Sequence, residues 1–127
     1  MTTERGSASA GPLSAYLDEL EPRVAAALGA IALRAEQLVP GLEEGVSYGM
    51  PALRYRGRAL LSVRATTGHL GYYPFSPSVV DSVAARLKGF SLSKGTVRFS
   101  LEHPLPPTIV DRMILARRDE IDAALDR

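Results

Sequence analysis

The sequence of 127 residues contains no cysteine and no tryptophan, and only two histidines. The absence of cysteine excludes disulfide bonds, thiolate-held zinc or iron–sulfur clusters, and catalysis by a cysteine nucleophile. It is consistent with a reducing compartment, so we expect a cytoplasmic protein. No stretch approaches the roughly 18 consecutive apolar residues of a transmembrane helix, so we predict no membrane span.

The length and the apolar content of 46% are those of an ordinary globular domain. Residues 1–11 are rich in serine, threonine, glycine and alanine and contain no apolar run. We predict a disordered tail over residues 1–11 and a single domain over residues 12–127, because no later stretch has the composition of a linker.

Apolar side chains recur every three or four residues near both ends of the chain, a spacing typical of helices. Proline suits the first turn of a helix, and a Pro-Gly pair stops one. Four helices are predicted on these grounds, over about 13–20, 22–39 and 78–89, and from Pro107 onward.

Between the second and third helices the apolar period falls to two, which is typical of β-strands. Strands are predicted at about 46–48, 53–55, 59–65, 69–73 and 96–101, with residues 49–51 interrupting the first two. The order is then α-α-β-β-β-β-α-β-α. It predicts an α/β (α+β) domain in which a mainly antiparallel sheet is covered by helices on one face.

The register of the central hairpin follows from its turn. A three-residue loop that ends at Gly57, in the left-handed conformation, would pair Arg54 with Arg58. Because strand side chains alternate, this register separates two sets of residues. It places Leu53, Ala59, Leu61 and Val63 on one face and Arg54, Arg58, Ser62 and Arg64 on the other.

Positive charge is concentrated in the middle of the chain. Residues 46–100 carry eight basic and one acidic side chain, whereas both flanking segments are net acidic. Arg54, Arg58 and Arg64 on one sheet face could therefore bind an anionic small molecule or a protein partner. The alternative is that they only keep an exposed sheet face soluble. A pI of about 8.1 and the absence of an RNA-binding motif argue against nucleic acid as the partner.

Residues 45–49 (GVSYG) match the G-x-S-x-G pattern of α/β-hydrolases, in which Ser47 would be the nucleophile. That pattern needs a helix directly after the serine, and Pro51 with the following strand pattern excludes one. Residues 90–96 lack the Gly-Lys-Ser/Thr order of a phosphate-binding loop. No complete set of nucleophile, base and orienting group is found. The sequence thus predicts no catalytic residue and favours a binding protein over an enzyme.

Acidic side chains form two loose groups. Asp18 and Glu19 lie near the end of the first helix, and Glu43 and Glu44 precede the first strand. Hard cations and ferrous iron accept carboxylate oxygens, so these four residues are the metal-binding candidates. The alternative is that they are solvated helix ends.

Several segments occur in the order found in one bacterial family. They are residues 44–53 (EGVSYGMPAL), 69–74 (HLGYYP), 94–99 (KGTVRF) and 104–106 (PLP), and the matching region spans about 13–120. In these segments the sequence resembles the YdhG-like family, the bacterial domain of unknown function 1801.

The resemblance implies a YdhG-like α/β fold and a suggested role in binding or delivering intracellular iron. It supplies no catalytic residue. The family's segment positions would either line a shared pocket or shape the fold; here they are Ser47, Tyr48, His69, Tyr72 and Lys94. Iron handling through the four carboxylates and anion binding on the arginines remain two open hypotheses.

Overall fold

The computed structural model describes residues 11–127, so the predicted disordered tail lies outside the described residues except for Gly11. Within this range the helices are α1 (Pro12–Asp18), α2 (Pro22–Leu38), α3 (Pro77–Val83) and α4 (Pro107–Leu125), with a 3-10 turn at Ala84–Arg86. The strands are β1 (Glu43–Ser47), β2 (Met50–Tyr55), β3 (Arg58–Thr66), β4 (His69–Tyr73), β5 (Ser91–Ser93) and β6 (Thr96–Phe99).

Each of these four helices begins with a proline. Proline fixes φ near the helical value and lacks the N–H that a first turn leaves unpaired. Side chains cap two of the starts. The Glu21 carboxylate accepts hydrogen bonds from the backbone N–H groups of Arg23 and Val24, each at 3.1 Å. The Ser76 hydroxyl accepts one from Val79 at 3.2 Å. The four predicted helices are confirmed.

The six strands form one sheet in the order β1-β2-β3-β4-β6-β5, and every neighbouring pair is antiparallel. The predicted α+β architecture, a mainly antiparallel sheet with helices on one face, is confirmed. The predicted order omits β5. This strand has only three residues, too few for an alternating pattern, and it forms by pairing Leu92 with Val97 of β6.

The turn between β1 and β2 is tighter than predicted. The expected interruption at residues 49–51 is wrong, because Pro51 already lies in β2. Tyr48 and Gly49 alone form the turn, with φ of 54° and 76°. Pro51 has no N–H for the ladder, and its carbonyl accepts a hydrogen bond from the Ser62 hydroxyl at 2.6 Å.

The turn between β2 and β3 also has two residues. Arg56 and Gly57 have φ of 52° and 80°, the type I′ conformation whose twist matches that of the strands. Tyr55 therefore pairs with Arg58. The predicted three-residue loop, which would have paired Arg54 with Arg58, is wrong.

A β-bulge beyond this turn restores the rest of the register. Arg54 pairs with Ala59 but Leu53 pairs with Leu61, so β3 contains one extra residue at this point. Directly paired residues share a face. Arg58, paired with Tyr55, therefore lies on the helix-covered side of the sheet, and Ala59, paired with Arg54, lies on the other side. The predicted placement of these two residues is wrong, whereas that of Leu53, Leu61 and Val63 on the core side is confirmed.

The core fills the space between the sheet and the helices. Its strands contribute Leu53, Leu61, Val63, Leu70, Tyr72, Val97 and Phe99, and its helices contribute Leu13, Leu17, Leu28, Ile31, Val80, Met113 and Ile114, among others. Among residues 11–127 no helix has both the length and the apolarity required to cross a bilayer.

We expect Ile114→Ala to lower the free energy of unfolding by about 2–5 kcal/mol, because Ile114 is fully buried and its removal leaves a cavity. Leu33→Ala is the matched control, since Leu33 of α2 is 44% exposed and its loss should change the free energy by about 0.5 kcal/mol or less. Urea denaturation followed by circular dichroism measures both. Equal losses would contradict this assignment of the core.

A polar cluster attaches the β2–β3 hairpin to α4. The Tyr55 hydroxyl donates a hydrogen bond to Asp122 Oδ1 at 2.7 Å, and Arg56 pairs with the same oxygen at 2.8 Å. Arg56 also pairs with Asp126 at 2.9 Å. The hydrogen bond from Tyr55, followed by that from Arg56, holds the pKa of Asp122 below its ordinary value of 3.8.

A carboxylate with a lowered pKa in the folded state stabilises the protein above its unfolded-state pKa, and this contribution disappears as the pH falls through the folded-state value. We therefore expect Asp122→Asn to lower stability at pH 7 and to weaken the loss of stability below about pH 4. Urea denaturation from pH 7 to pH 3 tests this. Asp81→Asn, an exposed change on α3, is the control for the loss of one carboxylate. A loss of stability at pH 7 equal to that of Asp122→Asn would contradict the assigned role of the cluster.

Candidate anion-binding face

A row of residues crosses the sheet face that the helices leave uncovered. Arg64 of β3 pairs with Gly71 of β4, and Gly71 pairs with Arg98 of β6. Paired residues share a face, so Arg64 and Arg98 flank the glycine from either side. Neighbouring strands lie about 4.8 Å apart, which places the two arginine backbones about 10 Å from each other.

Arg54 lies on the same uncovered face, on β2, which is the neighbour of the edge strand β1. A Cβ at Gly45 would lie 2.7 Å from Arg54 Cδ, so the absence of a side chain at Gly45 allows Arg54 to extend across β1. The guanidinium donates a hydrogen bond to the Gly57 carbonyl. We call Arg54, Arg64 and Arg98 the arginine face.

The ion pairs of the described residues leave this face uncompensated. Arginines elsewhere pair with carboxylates, among them Arg34 with Asp111 at 2.9 Å and Arg56 with Asp122 at 2.8 Å. Within residues 11–127, no carboxylate lies within ion-pair distance of Arg54, Arg64 or Arg98. Glu43 of β1 is the strand partner of Arg54 and lies on the same face without an ion pair, so three arginines stand against this one carboxylate and the net charge of these residues is positive.

The guanidinium groups of the arginine face also retain unused donors. The Nε atoms of Arg54 and Arg64 are shielded from solvent and have no hydrogen-bond partner among the described residues. Arg98 donates weakly to the hydroxyls of Ser91 and Ser93, each at 3.2 Å. Because these two Nε atoms are shielded, an anion from solvent would bind through the terminal N–H groups of the guanidinium, which also match anion oxygens.

An aromatic side chain lies between Arg64 and Arg98. Tyr73 follows Gly71 by two positions on β4 and therefore points to the same face. Its ring lies so close to Gly71 that a Cβ there would be 2.9 Å from the Tyr73 Cε1 atom. Tyr73 also lines a cavity of about 250 Å³ with Met50, Phe75 and other residues at the end of the sheet.

The two histidines border a second cavity, of about 190 Å³, at the opposite end of β4. His69 Nε2 lies 2.9 Å from the hydroxyl of Thr66, and the His103 ring stacks on Phe90 with centroids 4.0 Å apart. Arg98 lines the same cavity. His69 and His103 are 34 residues apart in sequence, and only the pairing of the strands brings them to the same cavity.

The five predicted pocket residues do not line one cavity. Tyr48 lines the first cavity, while Ser47 precedes it and Lys94 precedes Gly95, which also lines that cavity. His69 lies at the other end of β4. Tyr72 is buried in the core, where desolvation raises the pKa of its hydroxyl far above the usual 10. Tyr72 lies in the core and not in a surface cavity because side chains alternate along β4, so Tyr72 and its neighbour Tyr73 point to opposite faces.

The four predicted metal ligands do not converge either. Glu44 faces α1, where its carboxylate accepts hydrogen bonds from the backbone N–H and the hydroxyl of Ser14. Glu43 alternates to the opposite side of β1, and Asp18 and Glu19 are exposed at the end of α1. In the part of the chain that the structure describes, no group of three or more histidine, aspartate or glutamate side chains could hold a metal ion.

Comparison with known proteins places the fold. No family model matches the sequence, and no curated protein matches it. Among solved structures, the chain matches a protein of the DUF1801 family, YdhG from Bacillus subtilis, with a TM-score of 0.70. The chain has the YdhG-like fold. The two sequences are 17% identical, and the match covers 80% of this chain and 84% of the other.

The structural match confirms the fold that the ordered segments implied. Arg98 of the arginine face and the neighbouring Tyr73 are residues that the sequence did not single out. Arg98 alternates with the buried Val97 and Phe99 along β6 and therefore points away from the core. Only the pairing of β6 with β4 shows that Arg98 lies across Gly71 from Arg64.

We expect Gly71→Ala to displace the Tyr73 ring without unfolding the protein, because the new methyl group would overlap the far end of a flexible side chain. Stability should change by less than about 1 kcal/mol. NMR signals of the Tyr73 ring should move. Gly95→Ala is the control, since a Cβ there meets nothing within 4 Å. An unmoved Tyr73 ring in the Gly71→Ala protein would contradict the described packing.

Proposed function

We propose that this chain is a binding module for an anionic small molecule, which is held on the arginine face of the sheet. The observation that carries the proposal is that three arginines share the uncovered sheet face. Among the described residues, carboxylates pair with Arg34, Arg56 and Arg117, whereas none pairs with Arg54, Arg64 or Arg98. Binding an anion would compensate this charge.

The chemistry of guanidinium groups points to a phosphate-bearing ligand. A guanidinium presents several N–H donors in one plane and matches phosphate or carboxylate oxygens in pairs. Arg64 and Arg98 approach Gly71 from both sides, so one polyanion could contact both. The placement of Arg58 on the other side of the sheet removes it from this proposal.

We expect inorganic pyrophosphate to bind the wild-type chain and to bind the Arg64→Gln/Arg98→Gln double variant at least about tenfold more weakly. Hydrogen bonds to charged groups contribute about 1.5–3 kcal/mol each, and 1.4 kcal/mol corresponds to a tenfold change in affinity. Isothermal titration calorimetry at low salt measures the affinity. Added salt should weaken binding, because the site is open to solvent.

The control is Arg23→Gln/Arg112→Gln, which removes the same number of charges from exposed positions on α2 and α4. Pyrophosphate should bind this variant as it binds the wild type. Equal losses in both double variants would mean that only net charge matters. The arginine face would then not be the site.

Iron handling, which the resemblance implies, gains no support from the geometry of its candidate ligands. Glu44 is engaged by Ser14, and Glu43 points away from it. An anaerobic ferrous titration followed by amide NMR signals distinguishes the two functions. Broadening that saturates around Asp18, Glu43 and Glu44 would favour iron, whereas our proposal predicts localised shifts only with pyrophosphate and only at the arginine face.

A further inference from the structure

The turn between β1 and β2 places a large exposed aromatic residue in an unfavourable conformation. Tyr48 has a φ of 54°, in the left-handed region that type I′ turns usually fill with asparagine, aspartate or glycine. Its side chain is 87% exposed, so burial in the core does not offset the strain. In the neighbouring hairpin Arg56 has a similar φ, but two ion pairs to α4 hold it.

A second aromatic residue with a positive φ stacks on Tyr48. Phe75, just after β4, has a φ of 57°. The rings of Tyr48 and Phe75 stack with centroids 5.7 Å apart and an angle of 25° between their planes. Of the three non-glycine residues with positive φ in the described chain, these two stack on each other at the mouth of one cavity.

The cavity has an aromatic and apolar lining. Tyr48, Phe75, Met50, Tyr73 and Pro77 surround a volume of about 250 Å³ at the end of the sheet. Flat aromatic groups stack favourably on such rings, largely irrespective of their substituents. An exposed stack that opens onto a cavity is therefore suited to a planar group.

Tyr73 joins this cavity to the arginine face. It lines the cavity, and its ring also lies against Gly71 between Arg64 and Arg98. Tyr73 and Gly71 are two positions apart, about 7 Å along the strand.

We infer that the ligand of the arginine face is a nucleotide, with its base against the Tyr48–Phe75 stack and its phosphates on the guanidinium groups of Arg64 and Arg98, outside the Tyr73 ring that covers Gly71. This inference rests on the proposed anion-binding function and adds the part of the ligand that is not anionic. It assigns the strained turn a role, because Tyr48 of that turn supplies one ring of the stack.

The test compares inorganic pyrophosphate with a panel of nucleotides, ADP, GDP and UDP, on the full chain by isothermal titration calorimetry. At least one nucleotide should bind about tenfold more tightly than pyrophosphate, as expected for stacking of one base on aromatic side chains. Adenosine, which lacks the phosphates, should bind more weakly than ADP.

The decisive variant is Tyr48→Asn, because asparagine tolerates a positive φ and so preserves the turn while removing the ring. We expect nucleotide affinity to fall about tenfold, to the level of pyrophosphate, while pyrophosphate affinity stays unchanged. The melting temperature should not fall. Leu33→Ala, which removes an exposed apolar side chain from α2, is the control and should bind every probe like the wild type.

The outcomes separate the inference from the function on which it rests. If pyrophosphate binds but no nucleotide binds more tightly, or if Tyr48→Asn leaves nucleotide affinity intact, the nucleotide assignment is overturned and anion binding stands. If neither pyrophosphate nor any nucleotide binds, both are overturned. Nucleotide binding that is weakened by Tyr48→Asn and also by Arg64→Gln/Arg98→Gln supports the complete site.

Discussion

The alternation of side chains along the central strands is the constraint on which both the core and the candidate site depend. All four described helices pack on one face of the sheet, so each strand residue either joins the core or remains on the uncovered side. Val63 and Tyr72 point into the core, while their neighbours Arg64 and Tyr73 point away from it. A shift of one residue would bury the arginines and expose the apolar set. The core therefore fixes the position of the arginine face.

Two tight turns and one bulge maintain this alternation at a local cost. Both hairpins use type I′ geometry, which suits the twist of the strands but places Tyr48 and Arg56 in the left-handed region. At Arg56 the ion pairs to Asp122 and Asp126 offset the strain. Among the described residues, the Tyr48 side chain makes no hydrogen bond that would offset its strain, and its ring stacks on Phe75. Strained residues cluster at functional sites. The strain at Tyr48 therefore points to a functional site, whereas the strain at Arg56 is offset by its ion pairs.

The fold distributes the charged side chains unevenly over the surface, which the net charge of +1 does not show. The acidic side chains of α4 lie near the basic β2–β3 turn, so Arg56 is neutralised within the protein. Among the described residues, no ion pair neutralises Arg54, Arg64 or Arg98, although Glu43 is the strand partner of Arg54. Arg64 and Arg98 lie beside the Tyr73 ring, which also lines the aromatic cavity. The carboxylates of Glu21 and Glu44 accept hydrogen bonds from backbone N–H groups, and Asp18 and Glu19 are exposed.

The sequence by itself determined the elements and the class of fold. Proline at each helix start and the two-residue period of residues 59–65 are local signals, because they depend on neighbouring backbone dihedrals and on one face being buried. The ordered segments around Gly49 and Gly71 pointed to the YdhG-like fold, which the structural match confirms. These signals also placed Arg54 and Arg64 on one face, although the turn assigned to them was wrong.

Only the tertiary structure decided which distant residues meet. The pairing of Gly71 with Arg98 and the stacking of Tyr48 on Phe75 each join positions that are well separated along the chain. Such contacts depend on strand order and on how two turns fold toward each other. No local pattern specifies them, because the energy that selects them is the packing of the whole sheet against its helices.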